Sequence, residues 1–265
     1  MVAIPPGPLV LNEDNPLTLG LIGCFVPGVM RGQNLSGQQP DLLFEHGEPA
    51  GVWGTGPEGP CLVSHAAGHG LSRDAPQSWR TAPMTLYWRG FRSAPAHVSP
   101  GSGWAGIFGV SFDRFTTAPF VNFAMLRSPP ANPNQFRAVW NSSGFSQQTS
   151  ELAGISDSSF SVAMCVASPP SPVRVFANGV LVASNLSMTS QPSTSITTVI
   201  GLNTDENSPA RFPNLSCYCA YAWNRQLSDL EIANLDANPY GLVKTEPQEP
   251  EPPPEIVRTM AMVMA

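Results

Sequence analysis

Prolines and glycines interrupt the chain from end to end and so limit the length of any regular element. Among 265 residues there are 29 prolines and 23 glycines, about a fifth of the chain, against roughly 12% in average usage. Proline breaks the interior of a helix and glycine weakens it, which excludes bundles and coiled coils. Because 42% of the residues are hydrophobic and only 12% are charged, general disorder is excluded as well. The chain is therefore predicted to be an all-β domain of short strands joined by turns.

The clearest local signal is the pair Asn178-Gly179, which separates two β-rich runs at residues 173–177 and 180–183. Asn-Gly is the preferred two-residue hairpin turn, because both central residues take positive φ. Apolar content and alternation predict further strands at residues 17–26, 61–64, 84–88, 104–112, 120–126, 136–140, 160–167, 197–202 and 215–223.

The strand predicted at residues 215–223 alternates, so every second side chain is expected on one face. That set is Leu215, Cys217, Cys219, Tyr221 and Trp223. The chain has five cysteines in all, an odd number with no C-x-x-C motif, and a shared strand face is poor geometry for a zinc knuckle. We therefore predict reduced thiols that pack as small hydrophobic groups.

One helix is predicted, near residue 230. Ser228 and Glu231 have the spacing of a capping box, and Leu227 with Ile232 has the spacing of a hydrophobic staple. The Asn-Pro pair at residues 238–239 ends this helix after about two turns.

Proline-rich segments flank the predicted domain, which spans residues 17–241. Residues 1–16 are predicted to form an extended arm, and residues 242–265 a proline-rich tail that ends in the apolar sequence IVRTMAMVMA. A stiff polyproline spacer before an apolar segment suggests a contact with a neighbouring subunit's sheet or groove; the alternative is a frayed terminus. The predicted assembly contacts are Pro5, Pro6, Ile256, Val257, Met260 and Met262.

The order of motifs in the last third of the chain resembles a known family. A strand reading VRVFANGVLV is followed by TTVIGLN, then by RFPNLSCYCAYAWNRQLSDLEIANL and ANPY. The matching positions are Asn178-Gly179, Ile200-Gly201, Phe212, Trp223-Asn224-Arg225, Leu227-Ser228-Asp229 and Glu231-Ile232. This order is similar to the C-terminal half of the laminin-G-like branch of the concanavalin A-like lectin/glucanase superfamily. Asn214 departs from the pattern, since the family usually has glycine there.

The start of the domain carries a second resemblance. Residues 15–23 read NPLTLGLIG, similar to the opening of laminin-G-like proteins found in tailed-phage genomes, and the ending also fits, with a short helix before Asn-Pro and an aromatic residue. The resemblance covers residues 15–241. It implies a two-sheet antiparallel jelly-roll sandwich of the concanavalin A-like type, here with one short C-terminal helix and extended terminal arms.

Catalytic residues of the superfamily's enzymes have no counterpart in this sequence. Those enzymes resemble laminarinases and carry E-x-D-x-x-E on one strand, which places paired carboxylates on one face for glycoside hydrolysis. The chain contains no such motif, and the adjacent Asp205 and Glu206 would point to opposite faces of a strand. We therefore predict that the protein is not an enzyme and needs no cofactor.

Sugar-binding residues would lie in loops between strands. The candidates for hydrogen bonds to sugar hydroxyls are Asp113, Asn203, Asp205 and Asn207, and the candidates for stacking are Trp53, Trp79, Trp104 and Trp140. Surface turns and the buried core are the alternative places for these two sets. Calcium would need several converging oxygen ligands, and no local run of residues supplies them.

Charge and hydropathy exclude two classes of partner. The formal net charge is −6 with no run of Lys or Arg, so direct nucleic-acid binding is not expected. The apolar stretch at residues 17–29 is interrupted by Gly20, Gly23 and Pro27 and is too short to span a bilayer. The start MVAIPPGPLVL lacks the basic region of a signal peptide, so neither a signal peptide nor a membrane span is expected.

These observations predict a non-enzymatic phage virion protein, assembled in the bacterial host cytoplasm. It would be a capsid decoration or cement protein, or a component of a head or tail fibre. Its expected partners are the major capsid protein or tail and fibre subunits, together with further copies of itself. The alternative is a lectin-like module that recognises host-surface glycans.

Overall fold

Short strands make up most of the described chain. The computed structural model describes residues 3–38, 41–44, 51–63, 70–74, 79, 81, 83–92, 105–113, 121–127, 135–141, 145–151, 158–168, 170–188, 198–202 and 215–247. The strands are β1 (Leu9–Leu11), β2 (Leu21–Phe25), β3 (Trp53–Gly56), β4 (Gly59–Val63), β5 (Leu71–Asp74), β6 (Met84–Arg92), β7 (Ala105–Asp113), β8 (Val121–Arg127), β9 (Gln135–Asn141), β10 (Phe145–Glu151), β11 (Phe160–Val166), β12 (Ser171–Ala177), β13 (Val180–Met188), β14 (Thr198–Leu202), β15 (Leu215–Trp223) and β16 (Val243–Thr245). A 3₁₀ turn covers Pro16–Thr18, and the α-helices are α1 (Pro27–Met30) and α2 (Asp229–Ala237).

Two antiparallel sheets form a sandwich. The smaller sheet has the strand order β10-β9-β8-β7-β14-β5. The larger has the order β13-β12-β11-β6-β15-β4-β3, and β2 also pairs with β15. The predicted all-β, two-sheet antiparallel fold is confirmed.

The central strands of the larger sheet are buried on both faces. Its inner face packs towards the smaller sheet, and Phe25 on β2 meets Phe108 on β7 with ring centroids 6.4 Å apart. Its outer face carries a second apolar cluster, to which the N-terminal segment, α2 and the residues after α2 all contribute. Double coverage explains why every residue of β11 and of β15 is buried, a pattern that a one-faced sheet would not show.

A bulge in β15 changes which of its side chains share a face. Cys217 pairs with Gly90 and Cys219 with Arg89, so the register shifts between the two cysteines. As a result Cys217 lies in the inner cluster and Cys219 in the outer one. The predicted common face for Leu215, Cys217, Cys219, Tyr221 and Trp223 is wrong, because the bulge adds a residue that breaks the period of two.

The hairpin and the C-terminal helix form as their residues predict. Asn178 has φ of 48° and Gly179 has φ of 74°, as the two-residue turn between β12 and β13 requires. At the start of α2, the Glu231 backbone N–H donates to the Ser228 hydroxyl, and the Ser228 backbone N–H donates to the Glu231 carboxylate. The capping box is therefore complete.

The first predicted strand is shorter than expected, because its start forms a turn. Pro16 opens the 3₁₀ turn, and the Asn15 side chain accepts a hydrogen bond from the Leu17 N–H at 3.0 Å. The strand begins only at Leu21. Capping by Asn15 therefore gives residues 16–18 a 3₁₀ turn, where the apolar run predicts the start of the strand.

Part of each predicted arm is paired within the domain. β1 lies antiparallel to β16, with Val10 opposite Lys244. Leu9 and Val243 are buried in the outer cluster. Two segments that lie outside the predicted domain of residues 17–241 therefore pair with each other in one small sheet.

Candidate functional site

Of the predicted sugar-contacting side chains, the structure describes those of Trp53 and Trp79. Asn203, Asp205 and Asn207 lie outside the described residues, and Asp113 is described as backbone alone, at the end of β7 opposite Thr198. Trp79 is 2% exposed and is part of the core, so it is not available for stacking on a sugar. Trp53 is partly exposed, with Phe44 against its edge and the Arg31 guanidinium 5.9 Å from its ring.

An apolar groove lies beside the N-terminal segment. Its volume is about 620 Å³, and its walls are residues 4–8, residues 28–30 of α1, and Pro60 on β4. None of these residues carries a charged side chain. Of the predicted assembly contacts, Pro5 and Pro6 line this groove, whereas Ile256, Val257, Met260 and Met262 lie outside the described residues.

Close backbone packing builds one wall of the groove. A Cβ on Gly28 would lie 2.2 Å from the Pro60 carbonyl carbon and 2.3 Å from the Cys61 nitrogen. Only glycine therefore lets α1 approach β4 this closely. This contact holds Val29 and Met30, both partly buried against the outer cluster, along the groove.

The opposite wall is held by hydrogen bonds to its backbone. The Ile4 N–H donates to the Glu58 carbonyl at 3.1 Å, and the Ile4 side chain is buried in the outer cluster. The Thr245 hydroxyl donates to the Pro6 carbonyl at 3.0 Å, and the Glu246 N–H donates to the Pro8 carbonyl at 2.9 Å. Because residues 245 and 246 bond to groove residues, they lie at the rim of the groove.

A buried ion pair between Glu58 and Arg89 stabilises this region. Glu58, in the turn between β3 and β4, accepts hydrogen bonds from Arg89 at 2.9 and 2.7 Å and from the Tyr240 hydroxyl at 2.6 Å. The Glu58 backbone N–H donates to the Tyr218 hydroxyl at 3.2 Å. Burial alone would raise the pKa of Glu58, but the hydrogen bonds from Arg89 and Tyr240 outweigh it and hold that pKa below its ordinary value.

Arg89 also links this ion pair to α2. Its Nη1 lies 3.4 Å from the Asp236 carboxylate, which also accepts a hydrogen bond from the Ser161 hydroxyl. Both carboxylates that face Arg89 are therefore engaged in fixed contacts. The cluster joins the β3–β4 turn, β6, β11 and α2, and its side chains hold the fold rather than face an open cleft.

The five cysteines are buried and free of disulfides. Burial raises the pKa of Cys61 and of Cys165 to about 11, and that of Cys219 to about 12. Because the thiolate is the reactive form of cysteine, these thiols are inert in the folded chain. The prediction of reduced thiols packed as small hydrophobic groups is confirmed.

A second apolar surface lies at the edge of the larger sheet. β13 is the end strand of that sheet, and its residues Val180 and Val182 are 64% and 41% exposed. Unpaired edge strands are templates for pairing with another chain, and natural proteins usually protect them with charges, prolines or bulges. Here the β12–β13 ladder has two register shifts, while residues 180–182 carry no charge.

Two kinds of site do not occur in the part of the chain that the structure describes. Among those residues, no three His, Cys, Asp or Glu side chains converge as metal ligands. No helix formed by them has the length and hydropathy needed to cross a bilayer.

Comparison with known proteins gives structural neighbours but no sequence relatives. No family model matches the chain, and no curated protein does. Domain 4 of AbnA, a GH43 extracellular arabinanase from Geobacillus stearothermophilus solved with arabinotriose, is 12% identical; the TM-score is 0.60, over 82% of this chain and 98% of that one. The receptor-binding domain of botulinum neurotoxin C/D mosaic serotype is 10% identical, with a TM-score of 0.57 over 83% of this chain and 51% of that chain.

A third neighbour is Trypanosoma rangeli sialidase, 14% identical with a TM-score of 0.55 over 82% of this chain. This chain spans about a third of the sialidase chain and about half of the toxin chain. At such identities the similarity defines the class of fold, a β-sandwich of the kind that these proteins contain.

Proposed function

We propose that the chain is a non-enzymatic structural protein of a tailed-phage virion, built on a laminin-G-like jelly roll. It acts as a capsid decoration or cement protein, or as a component of a head or tail fibre. Its partners are the major capsid protein or tail and fibre subunits, and further copies of itself. One observation carries this proposal: the two terminal segments meet beside an apolar groove, and residues 256–265, which follow a proline-rich spacer, are again apolar.

Other features agree with an assembly role. The exposed apolar edge of β13 offers a second surface for contact with another subunit. The buried thiols and the engaged Glu58–Arg89 pair serve the stability of the domain. The phage assignment rests on the resemblance of residues 15–23, and of the short helix before Asn-Pro and an aromatic residue, to laminin-G-like proteins of tailed phages.

Particle composition tests the proposal. Virions of the phage that encodes the chain are purified, and mass spectrometry with immunogold labelling looks for the protein on the head or tail. A variant that lacks residues 248–265 is expected to be depleted from particles, while Leu230→Glu, on the exposed side of α2, is expected to remain. Purified virions that lack the full-length protein would overturn the proposal.

Glycan binding is a second candidate, favoured by the structural neighbours. One of them, solved with arabinotriose, is covered almost completely by the match, and another is a receptor-binding domain. The residues for this function are Asp113, Asn203, Asp205 and Asn207. The test is a glycan array in calcium and in chelator. Binding that is lost in the Asn203→Ala/Asp205→Ala/Asn207→Ala variant would support a lectin, and no binding under either condition would eliminate it.

A further inference from the structure

The groove lined by residues 4–8, residues 28–30 and Pro60 has the chemistry of a docking site for an apolar segment. Its nine lining residues are proline, glycine or aliphatic side chains and methionine. Such a surface offers neither the charged groups nor the aromatic faces that sugars and phosphates need. An apolar peptide segment gains free energy there by removing its side chains from water.

The chain itself contains a segment with matching chemistry. Residues 256–265 read IVRTMAMVMA, in which Arg258 is the one charged residue. Three of the ten residues are methionines, whose unbranched and polarizable side chains adapt to irregular apolar surfaces. These properties match those of the apolar groove.

The spacer before this segment sets how far it reaches. Pro247 follows the two residues that bond to the groove wall, so the spacer starts at the rim. Residues 248–255 read QEPEPPPE, and at about 3.1 Å per residue in polyproline II they span about 25 Å. Residue 256 would thus lie about 25 Å from the groove of its own chain. Docking there would require the segment to fold back along its own spacer, with Ile256 and Val257 left far from the groove.

We infer that residues 256–265 of one copy dock in the groove of a second copy, so that the groove is an interface between copies of this chain. The inference rests on the proposed assembly role and names its partner. The three glutamates at 249, 251 and 255 keep the spacer solvated, while the apolar segment is buried on the neighbour. An exchange of this kind is a low-cost way to join identical subunits.

Site-specific photocrosslinking of the purified full-length protein tests the inference. Benzoylphenylalanine replaces Met262, and after irradiation the expected product is a covalent dimer whose crosslink maps to residues 4–8 or 28–30. Met30→Glu places a charge in the groove, at a side chain that is only partly buried, and should reduce the dimer at least tenfold. The matched control Leu230→Glu, at a residue 70% exposed on α2, should leave the yield unchanged.

Each other outcome contradicts the inference. A monomeric product crosslinked to residues 4–8 or 28–30 would mean docking within one chain, and a dimer crosslinked to β13 would mean that the edge strand is the receptor. An absence of crosslinks would mean that the segment has no site on this protein. Because the experiment uses purified protein, its failure is separate from that of the virion role, which particle composition tests.

Discussion

Glu58 and Arg89 form a two-point ion pair on the buried outer face of the larger sheet, with Nε–Oε2 and Nη2–Oε1 distances of 2.9 and 2.7 Å. The same glutamate accepts the Tyr240 hydroxyl through its side chain and the Ile4 N–H through its carbonyl. One residue in a β-turn thus joins β6, the N-terminal segment and the residues after α2. Substitution of Glu58 should therefore destabilise both the N-terminal segment and the residues after α2.

Glu58→Gln is expected to destabilise the protein by about 3 kcal/mol. Removal of one member of a buried ion pair leaves the other without its counter-charge, and such changes cost about 3–5 kcal/mol. We expect a loss of stability at the lower end of this range, because Asp236 still faces Arg89 at 3.4 Å. Urea unfolding measures the change. Glu13→Gln, at an exposed glutamate, is the control and should stay within about 0.5 kcal/mol of the wild type; equal stability of the two variants would show that the ion pair is not important.

The contribution of Glu58 to the stability of the fold should decrease as the pH falls. Its pKa in the folded protein lies below the ordinary value of 4.5, so the folded state binds this proton less readily than the unfolded state. The contribution is then complete above pH 4.5 and is lost as the pH falls through the lower, folded pKa. The urea midpoints of the wild type and Glu58→Gln should differ at neutral pH and converge in acid. A gap that stays constant into acid would assign the effect to packing instead.

The thiols should not react with a thiol reagent in the native protein. All five cysteines are buried, and the raised pKa values of Cys61, Cys165 and Cys219, about 11 to 12, leave almost no thiolate at neutral pH. Ellman's reagent is expected to label none of them in native buffer and all five in denaturant. Fast labelling of even one thiol in the folded protein would contradict the burial of that residue.

Local signals in the sequence predict the fold well where the responsible residues are neighbours in the chain. Asn178-Gly179 predicts its hairpin and Ser228 with Glu231 predicts the start of α2, because turn geometry and capping depend on residues within one turn. Strand alternation predicts β15 but not its faces. The bulge near Cys217 is set by pairing with β6, a contact between residues more than a hundred positions apart.

The candidate site depends on contacts of this long-range kind. Proline content predicts an extended segment at residues 1–16, but the pairing of β1 with β16 brings together residues more than 230 positions apart. The close approach of Gly28 to Pro60 depends on the packing of α1 on β4. No short sequence pattern encodes either contact, so the groove could not be predicted, although the sequence predicts contacts for two of its residues, Pro5 and Pro6.

Gly179→Ala tests whether the hairpin turn also supports α2. Gly179 has φ of +74°, and a Cβ there would lie 3.0 Å from the Asp236 Cβ, so the substitution adds backbone strain and a contact with the helix. Gly37, with φ of +73° and nothing within 4 Å of its Cβ position, is a matched control for the strain alone, which costs about 1–2 kcal/mol for an L-residue. Thermal unfolding should show a larger loss for Gly179→Ala than for Gly37→Ala, because Asp236 must shift away from Arg89 and Ser161. Equal losses of stability would mean that α2 shifts without cost and that the turn stabilises only the β12–β13 hairpin.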